Sequence, residues 1–494
     1  MGKKLPILYN ALLLTAVNLM LRFVSTSFQV YLSGKIGPEG IGLLQLVLSV
    51  GALAMTAGMG GIRTATMYLC AEVVGQKRHE QMTWVLSSCI LYSLMLSSAV
   101  GVLLHHFAPL VAQFWIGKPN TAESIRMLAY FLPVTCLSGV MIGYFTGVGR
   151  IGTLAAVEVA EQLFTMGSTI LLLTFWASHD SYKACQAVIM GSGLGACFTL
   201  TVLLLMKQLE RSPVGPRLKV RNKLLQVAVP LAVADDLKVG INTAENLMVP
   251  KRLAYYPGEG SPLASFGMVC GMVFPVLMFP AAIIFSLAEL LVPELARCNA
   301  AGSNNRIRHL VKKSLLLALI YGSFCGGILF LSADVLCIKL YKTTEAGKFL
   351  RLFSLLAPML YCDAIVDAIC KGLGQQKICV RNNIITSALD VILLYILLPH
   401  FGMQGYFISF LITHLINFCL SIQLLEKIVS DLMQLKRSVL CIASAVIALT
   451  AATQVSSGII RLVTFSITFG AFLVLFNIVN KEEFQWVKGL LRTK

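Results

Sequence analysis

Residues 184–223 read ACQAVIMGSGLGACFTLTVLLLMKQLERSPVGPRLKVRNK. The first 23 carry no charge, and the last 17 carry six Lys or Arg and two prolines. A run of ~20 apolar residues is the length of helix that crosses a bilayer. A short connection rich in Lys and Arg marks the cytoplasmic side. The same alternation runs along the whole chain. Apolar segments occupy 6–33, 41–73, 82–107, 122–148, 153–177, 184–206, 225–250, 263–296, 314–338, 349–371, 382–398, 402–425, 439–455 and 459–480. They predict an all-α polytopic membrane protein with about 14 transmembrane helices. The first stretch is too long for the apolar core of a cleaved signal and is expected to stay as the first helix.

Composition agrees. Of 494 residues 57% are hydrophobic and 13% charged, against about 25% charged in soluble domains. The net charge of +17 does not imply nucleic acid, because it sits in short loops at helix ends and faces anionic lipid. With both termini inside, 26 of the 40 Lys and Arg fall in cytoplasmic connections, 11 on the opposite side and three within spans. That asymmetry predicts a multi-pass protein of the bacterial inner (cell) membrane with both termini cytoplasmic. The 14 cysteines are scattered through apolar spans, without a C-x-x-C pair or a cluster with His, so neither a metal site nor a disulfide framework is expected. The sequence also lacks a G-x-x-x-x-G-K-[ST] nucleotide loop. No cofactor is expected; energy for any transport must come from an Na⁺ or H⁺ gradient or the membrane potential.

The basic linker divides the chain into an N-terminal six-helix lobe (1–206), the linker (207–224), a second six-helix lobe (225–425), and two further helices with a cytoplasmic tail (426–494). The lobes read as repeats. An offset of 225 pairs Pro133 with Pro358, Gly147 with Gly372, Gly149 with Gly374 and Gly42 with Gly267. Near the first helix of each lobe an offset of 220 pairs Glu39-Gly40 with Glu259-Gly260. Since both lobes begin on the cytoplasmic side, the repeat is parallel, a transporter arrangement expected to enclose a central cavity.

Polar residues within spans are costly and therefore functional candidates. Span 1 carries Asn18, Arg22, Ser25 and Gln29 on one narrow stripe. Span 2 carries Arg63 directly after Gly58-Met59-Gly60-Gly61. Guanidinium groups offer a planar fork of donors to phosphate oxygens, so two of them in one lobe suggest an anionic headgroup site. The plain alternative is pairing with a carboxylate such as Glu72. Span 7, the counterpart of span 1, carries Asp235, Asp236, Lys238, Asn242, Glu245 and Asn246; these either line a cavity or form an internal ion pair. Asp363, Asp367 and Asp390 in spans 10 and 11 are candidates for ion coupling. Glu158 and Glu161 are expected to begin the span 5 helix, where negative charge favours the helix dipole. His414 and Asn417 are expected to hydrogen-bond a neighbouring helix.

Pro38-Glu-Gly-Ile-Gly-Leu-Leu-Gln-Leu46, Leu291-Val-Pro-Glu-Leu-Ala-Arg297, the Gly372-Leu-Gly374-Gln375 turn and Gly402-Met-Gln-Gly405-Tyr406 together resemble the stage V sporulation protein B-like and polysaccharide-exporter family. That family lies within the multidrug/oligosaccharidyl-lipid/polysaccharide exporter superfamily. The resemblance implies alternating access and an undecaprenyl-pyrophosphate-linked oligosaccharide, a peptidoglycan or polysaccharide precursor, moved from the inner to the outer leaflet. It links the chain to cell-wall or spore-cortex synthesis, with cell-wall synthesis proteins as candidate partners and no enzymatic activity. It gives Arg22 and Arg63 to the pyrophosphate. Span 8 carries only Glu289 and the terminal Arg297, so Lys238 would supply the second lobe's positive charge. Asn18, Gln29, Asn242 and Asn246 would meet sugars, with Asp235 and Glu245 lining the cavity. Two other readings stay open: a cation-coupled multidrug exporter of the same superfamily, for which the span carboxylates argue, and a membrane scaffold of a cell-wall synthesis complex.

Overall fold

The computed structural model describes residues 5–76, 78–177, 180–208, 221–258, 260–428, 435–455 and 458–479; in 5–18 and at 79, 221, 428 and 435 only the backbone is described. The side chain of Asn18 therefore lies outside the described residues. All regular structure among them is helical: α1 Leu5–Met59, α2 Ile62–Gly75, α3 Met82–Leu110, α4 Ala122–Gly147, α5 Ile151–Phe175, α6 Ser181–Gln208, α7 Arg221–Leu253, α8 Pro262–Met268, α9 Phe274–Met278, α10 Ala281–Ala300, α11 Asn304–Tyr341, α12 Glu345–Ser354, α13 Ala357–Gly372, α14 Gln376–Ile428, α15 Leu435–Thr453 and α16 Gly458–Leu475. Nine helices in the described residues are long and apolar enough to cross a membrane, or eleven when two bent pairs are each taken as one span. Two of the nine hold two segments each, divided at Gly37 in α1 and at Gly402 in α14, where the backbone leaves helical geometry. With these divisions and the charge-bearing α7, the segments number fourteen. The chain is an all-α, polytopic membrane protein.

The breaks follow from local chemistry. Gly37 has φ +71, which glycine adopts without strain. Pro38 follows it and has no N–H to continue the ladder. The second predicted span is itself broken between α1 and α2 by Gly60 and Gly61, both left-handed at φ +48 and +68. The eighth is broken at Phe279–Pro280, where Pro262–Met278 and α10 meet at 62°. The tenth bends by 54° between α12 and α13.

The chain forms two compact units, Met1–Gly267 and Met268–Lys494. The first therefore runs past the basic linker and takes in α7, which packs on α1 and α2. Thr243 Oγ1 donates to Ser49 O at 3.1 Å. A Cβ on Gly61 would lie 2.5 Å from Ala228 O, so only glycine admits α7 there. Ile62, Leu69, Val85, Phe145 and Ala228 belong to the unit's buried core. The second unit is built on α10, α11 and α13, and α15 and α16 dock on α11. Phe465 and Phe469 stack 5.7 Å apart and lie against Phe324. The missing side chain of Gly327 makes room for the Phe465 ring.

Each unit repeats the other's helix contacts. A Cβ on Gly101 of α3 would lie 3.1 Å from Ala129 O of α4, and one on Gly326 of α11 would lie 2.8 Å from Ser354 O of α12. Both members of this second pair are 225 residues on. Gly147 sits on Met67 O at 2.6 Å and Gly372 on Val292 O at 2.9 Å, measured the same way. Gly149 and Gly374 are both left-handed, at φ +83 and +74.

Candidate functional site

The candidate substrate residues all fall in the first unit. Arg22 is half-buried and Arg63 exposed. The helix of Arg22 packs on α5. Gln162 Nε2 donates to Ser25 Oγ, one turn from Arg22, at 3.2 Å. Arg63 is held in place by its backbone. Gly143 of α4 presses on it, a Cβ there lying only 2.4 Å from Arg63 O, so the guanidinium is left on an exposed face of α2.

The chain begins α5 at Ile151, not near Glu158. Glu161 thus lies ten residues inside the helix, and the expectation of two helix-starting carboxylates is corrected. What sequence reasoning missed is that Gln162 of α5 bonds α1 one turn from Arg22. The available signal was its place on a second polar helix of the same lobe.

On α7 the structure separates the candidates. Asp235, Lys238 and Asn242 are exposed, whereas Asn246 Nδ2 donates to Ser49 Oγ at 3.0 Å and holds α7 to α1. Glu245 and Gln29 are half-buried. Asp236 Oδ1 is buried without a hydrogen-bond partner among the described residues, and its charge reaches Tyr92 of α3. Tyr92 donates to Gly60 O at 3.3 Å, at the break before Arg63. Glu72, proposed as an alternative partner for an arginine, instead pairs with Lys223 at the start of α7, at 2.5 Å.

The ion-coupling candidates lie in the second unit. Asp390 is 6% exposed and accepts hydrogen bonds from Ser409 at 2.6 Å and Thr413 at 3.1 Å. Asp363 Oδ2 lies 2.7 Å from His414 Nδ1. Asp367, one turn along α13, is half-buried. Among the described residues no group of three or more His, Cys, Asp or Glu is arranged to hold a metal ion.

The MatE family model matches residues 15–177. Those residues form a MatE domain. This domain holds Arg22, Arg63, Glu161 and Gln162. Over a longer stretch the chain is 23% identical to stage V sporulation protein B of Bacillus subtilis (strain 168), across 421 residues that cover 81% of this chain and 80% of that protein. The sporulation protein YkvU of the same organism is 22% identical over 280 residues, 54% of this chain and 61% of that protein. Over most of its length the chain also has the fold of solved transporters. It matches the lipid II flippase MurJ in an inward closed conformation with a TM-score of 0.71 and 13% identity, over 94% of this chain and 98% of that one. A multidrug resistance MATE family transporter of the MOP superfamily, solved inward-facing, gives a TM-score of 0.65 and 14% identity, over 90% and 100%. The MatE domain therefore sits in a chain whose fold is that of MOP-superfamily flippases and transporters.

Proposed function

We propose that this protein is a flippase for an undecaprenyl-pyrophosphate-linked oligosaccharide, carried from the inner to the outer leaflet of a bacterial cell membrane by alternating access. The observation that carries the reading is that Arg22 and Arg63 stand on membrane-crossing helices of one unit, with Gln162 of α5 bonded to Ser25 one turn from Arg22. Arg22 and Arg63 hold the pyrophosphate, because forked, permanently charged donors match its oxygens. Lys238 adds a point charge from α7. Asn18, Gln29, Asp235, Asn242 and Glu245 meet the sugars. Asn246 serves the packing of α7, and the prenyl chain stays in lipid. Both termini face the cytoplasm, as the Lys/Arg asymmetry requires. Relatives concerned with sporulation and with lipid II point to a cell-wall precursor.

The exposed carboxylate Asp235 favours a second reading, a cation-coupled multidrug exporter. One experiment separates them. Translocation of a fluorescent undecaprenyl-pyrophosphate disaccharide is measured in proteoliposomes for wild type and for Arg22→Ala with Arg63→Ala. Hydrogen bonds to charged groups contribute about 1.5–3 kcal/mol each, so losing the pair slows translocation by about 100-fold or more. A wild type that moves organic cations but not the lipid-linked sugar overturns the flippase reading.

A further inference from the structure

The repeat puts an arginine at the same point of both units, but the two are partnered differently. Arg126 and Arg351 are 225 residues apart. Each stands three residues before the carbonyl that a glycine of the preceding helix approaches, Gly101 on Ala129 and Gly326 on Ser354. In the second unit the arginine is closed in by α11. Its guanidinium carbon lies 5.9 Å from the centre of the Phe330 ring, and it pairs with Asp334. In the first unit the residue 225 before Phe330 is His105, and the residue 225 before Asp334 is Pro109, both on α3. Arg126 therefore keeps the ring beside it, while α3 offers no carboxylate at that place.

Among the described residues the ion pair of Arg126 is with Glu123 of its own helix, from Nη1 to Oε2 at 3.4 Å. Their side chains are 38% and 53% exposed. A pair of this kind in solvent contributes little. Arg126 Nε and His105 Nδ1 are buried without a hydrogen-bond partner among the described residues. The two side chains lie level: α3 and α4 run antiparallel, His105 is four residues past Gly101, and Arg126 is three before Ala129. Tyr130, one turn along α4 from Arg126, is exposed and sets its ring 5.1 Å from that of His105. A charge in the second turn of a membrane-spanning helix is costly unless an anion meets it. Trp115 is exposed at the same end of the unit as Tyr130, and such rings mark the depth of lipid headgroups. Lys251 of α7 arrives there too, donating to Phe114 O at 2.5 Å. The anion abundant at that depth is a lipid phosphate, whose oxygens match the fork of a guanidinium.

We propose that Arg126, with His105 and Tyr130, forms a binding site for the phosphate of an anionic phospholipid. The phosphate takes on Arg126 the place that Asp334 takes on Arg351. The Tyr130 hydroxyl and the imidazole stand beside it as further donors. The acyl chains run along α3 over Val102 and Met95, which are exposed and share a face with His105. The site lies apart from Arg22 and Arg63 and does not depend on what the protein transports.

The test uses the full chain in detergent, stripped of lipid and titrated with dioleoylphosphatidylglycerol under native mass spectrometry. Wild type is compared with Arg126→Gln, with Arg351→Gln, and with Pro109→Asp, which gives the first unit the carboxylate of the second. Dioleoylglycerol supplies the tails without phosphate, and glycerol phosphate the phosphate without tails. The proposal expects the tightest phosphatidylglycerol to bind at least about tenfold more weakly in Arg126→Gln and in Pro109→Asp. Arg351→Gln, whose lost charge was already paired with Asp334, is expected to bind it as wild type does. Equal affinity in wild type and Arg126→Gln overturns the site, as does an equal loss in Arg351→Gln. Dioleoylglycerol binding as tightly as phosphatidylglycerol would remove the phosphate from the account, and glycerol phosphate doing so would make the ligand a soluble anion; either overturns the proposal. Should Arg126→Gln fail to fold, Pro109→Asp keeps the arginine and decides alone, full lipid affinity in it being the contrary result.

Discussion

The second span and the eighth are repeats of one another, and both are broken, but by opposite means. In the first unit two left-handed glycines part α1 from α2, and a single phenol, Tyr92, reaches the freed carbonyl of Gly60 at 3.3 Å. In the second unit the break at Phe279–Pro280 is tied on both sides. Tyr361 donates to Leu277 O at 2.8 Å, Tyr321 to Pro280 O at 3.0 Å, and Tyr341 to Met272 O at 3.1 Å. Unsatisfied backbone groups cost several kcal/mol in lipid, so a broken helix needs such partners or a polar cavity. The eighth span takes the first solution and becomes scaffold. The second span takes less of it, and two residues past its break stands Arg63. The charges of the second unit lie elsewhere, at Asp363, Asp390 and His414. One architecture has thus placed its polar work in two different places.

The comparison rests on the repeat, and the sharpest way to break it is through the glycines. Gly147→Ala and Gly372→Ala each drive a Cβ against a backbone carbonyl, at 2.6 and 2.9 Å. Overpacking of this kind costs about 1–3 kcal/mol. Both variants are expected to lower the melting temperature and the folded yield in detergent by similar amounts. A silent Gly372→Ala beside a damaging Gly147→Ala would end the equivalence.

Next in size is the functional difference between the breaks. Arg63→Gln keeps length and polarity but loses the charge, and translocation is expected to fall about 10–100-fold at unchanged melting temperature. Tyr361→Phe should do the reverse. It strips a buried carbonyl of its donor and is expected to cost about 1–2 kcal/mol of stability. Tyr92→Phe, with its longer bond at a half-buried site, should cost under ~1 kcal/mol. Thermal unfolding of the two tyrosine variants side by side checks the contrast, and equal losses would contradict it.

The span pattern was legible because hydropathy and the placement of Lys and Arg report directly on lipid and topology. The repeat was legible in Gly147, Gly149, Gly372 and Gly374 because close backbone contacts admit only glycine. The breaks were not. In the sequence Gly60 and Gly61 only mark the approach to Arg63, whereas the close seating of α7 against Gly61 is a contact between residues far apart in sequence. The same holds for the phenols that tie the eighth span. Arg22 and Arg63 stood out as single charges in apolar sequence, whereas Gln162 gained its meaning only from the packing of α5 on α1. His414 was read as a helix-to-helix hydrogen bonder, and its partner, Asp363, lies 51 residues away.

The smallest effect concerns the joint between the end of α2 and the start of α7. Lys223 and Glu72 join the start of α7 to the end of α2 at 2.5 Å, but their side chains are 50% and 27% exposed. Exposed pairs of this sort contribute only about 0.2–1 kcal/mol. Lys223→Ala is therefore expected to leave the melting temperature nearly unchanged, and the difference from wild type should vanish as salt is raised. If α7 is instead held to α2 mainly by this ion pair, the variant will lose stability comparable to Tyr361→Phe at every salt concentration. In that case the glycine contact at Gly61 is not what seats the helix. Melting curves of Lys223→Ala at low and high salt decide between a packed joint and an electrostatic one.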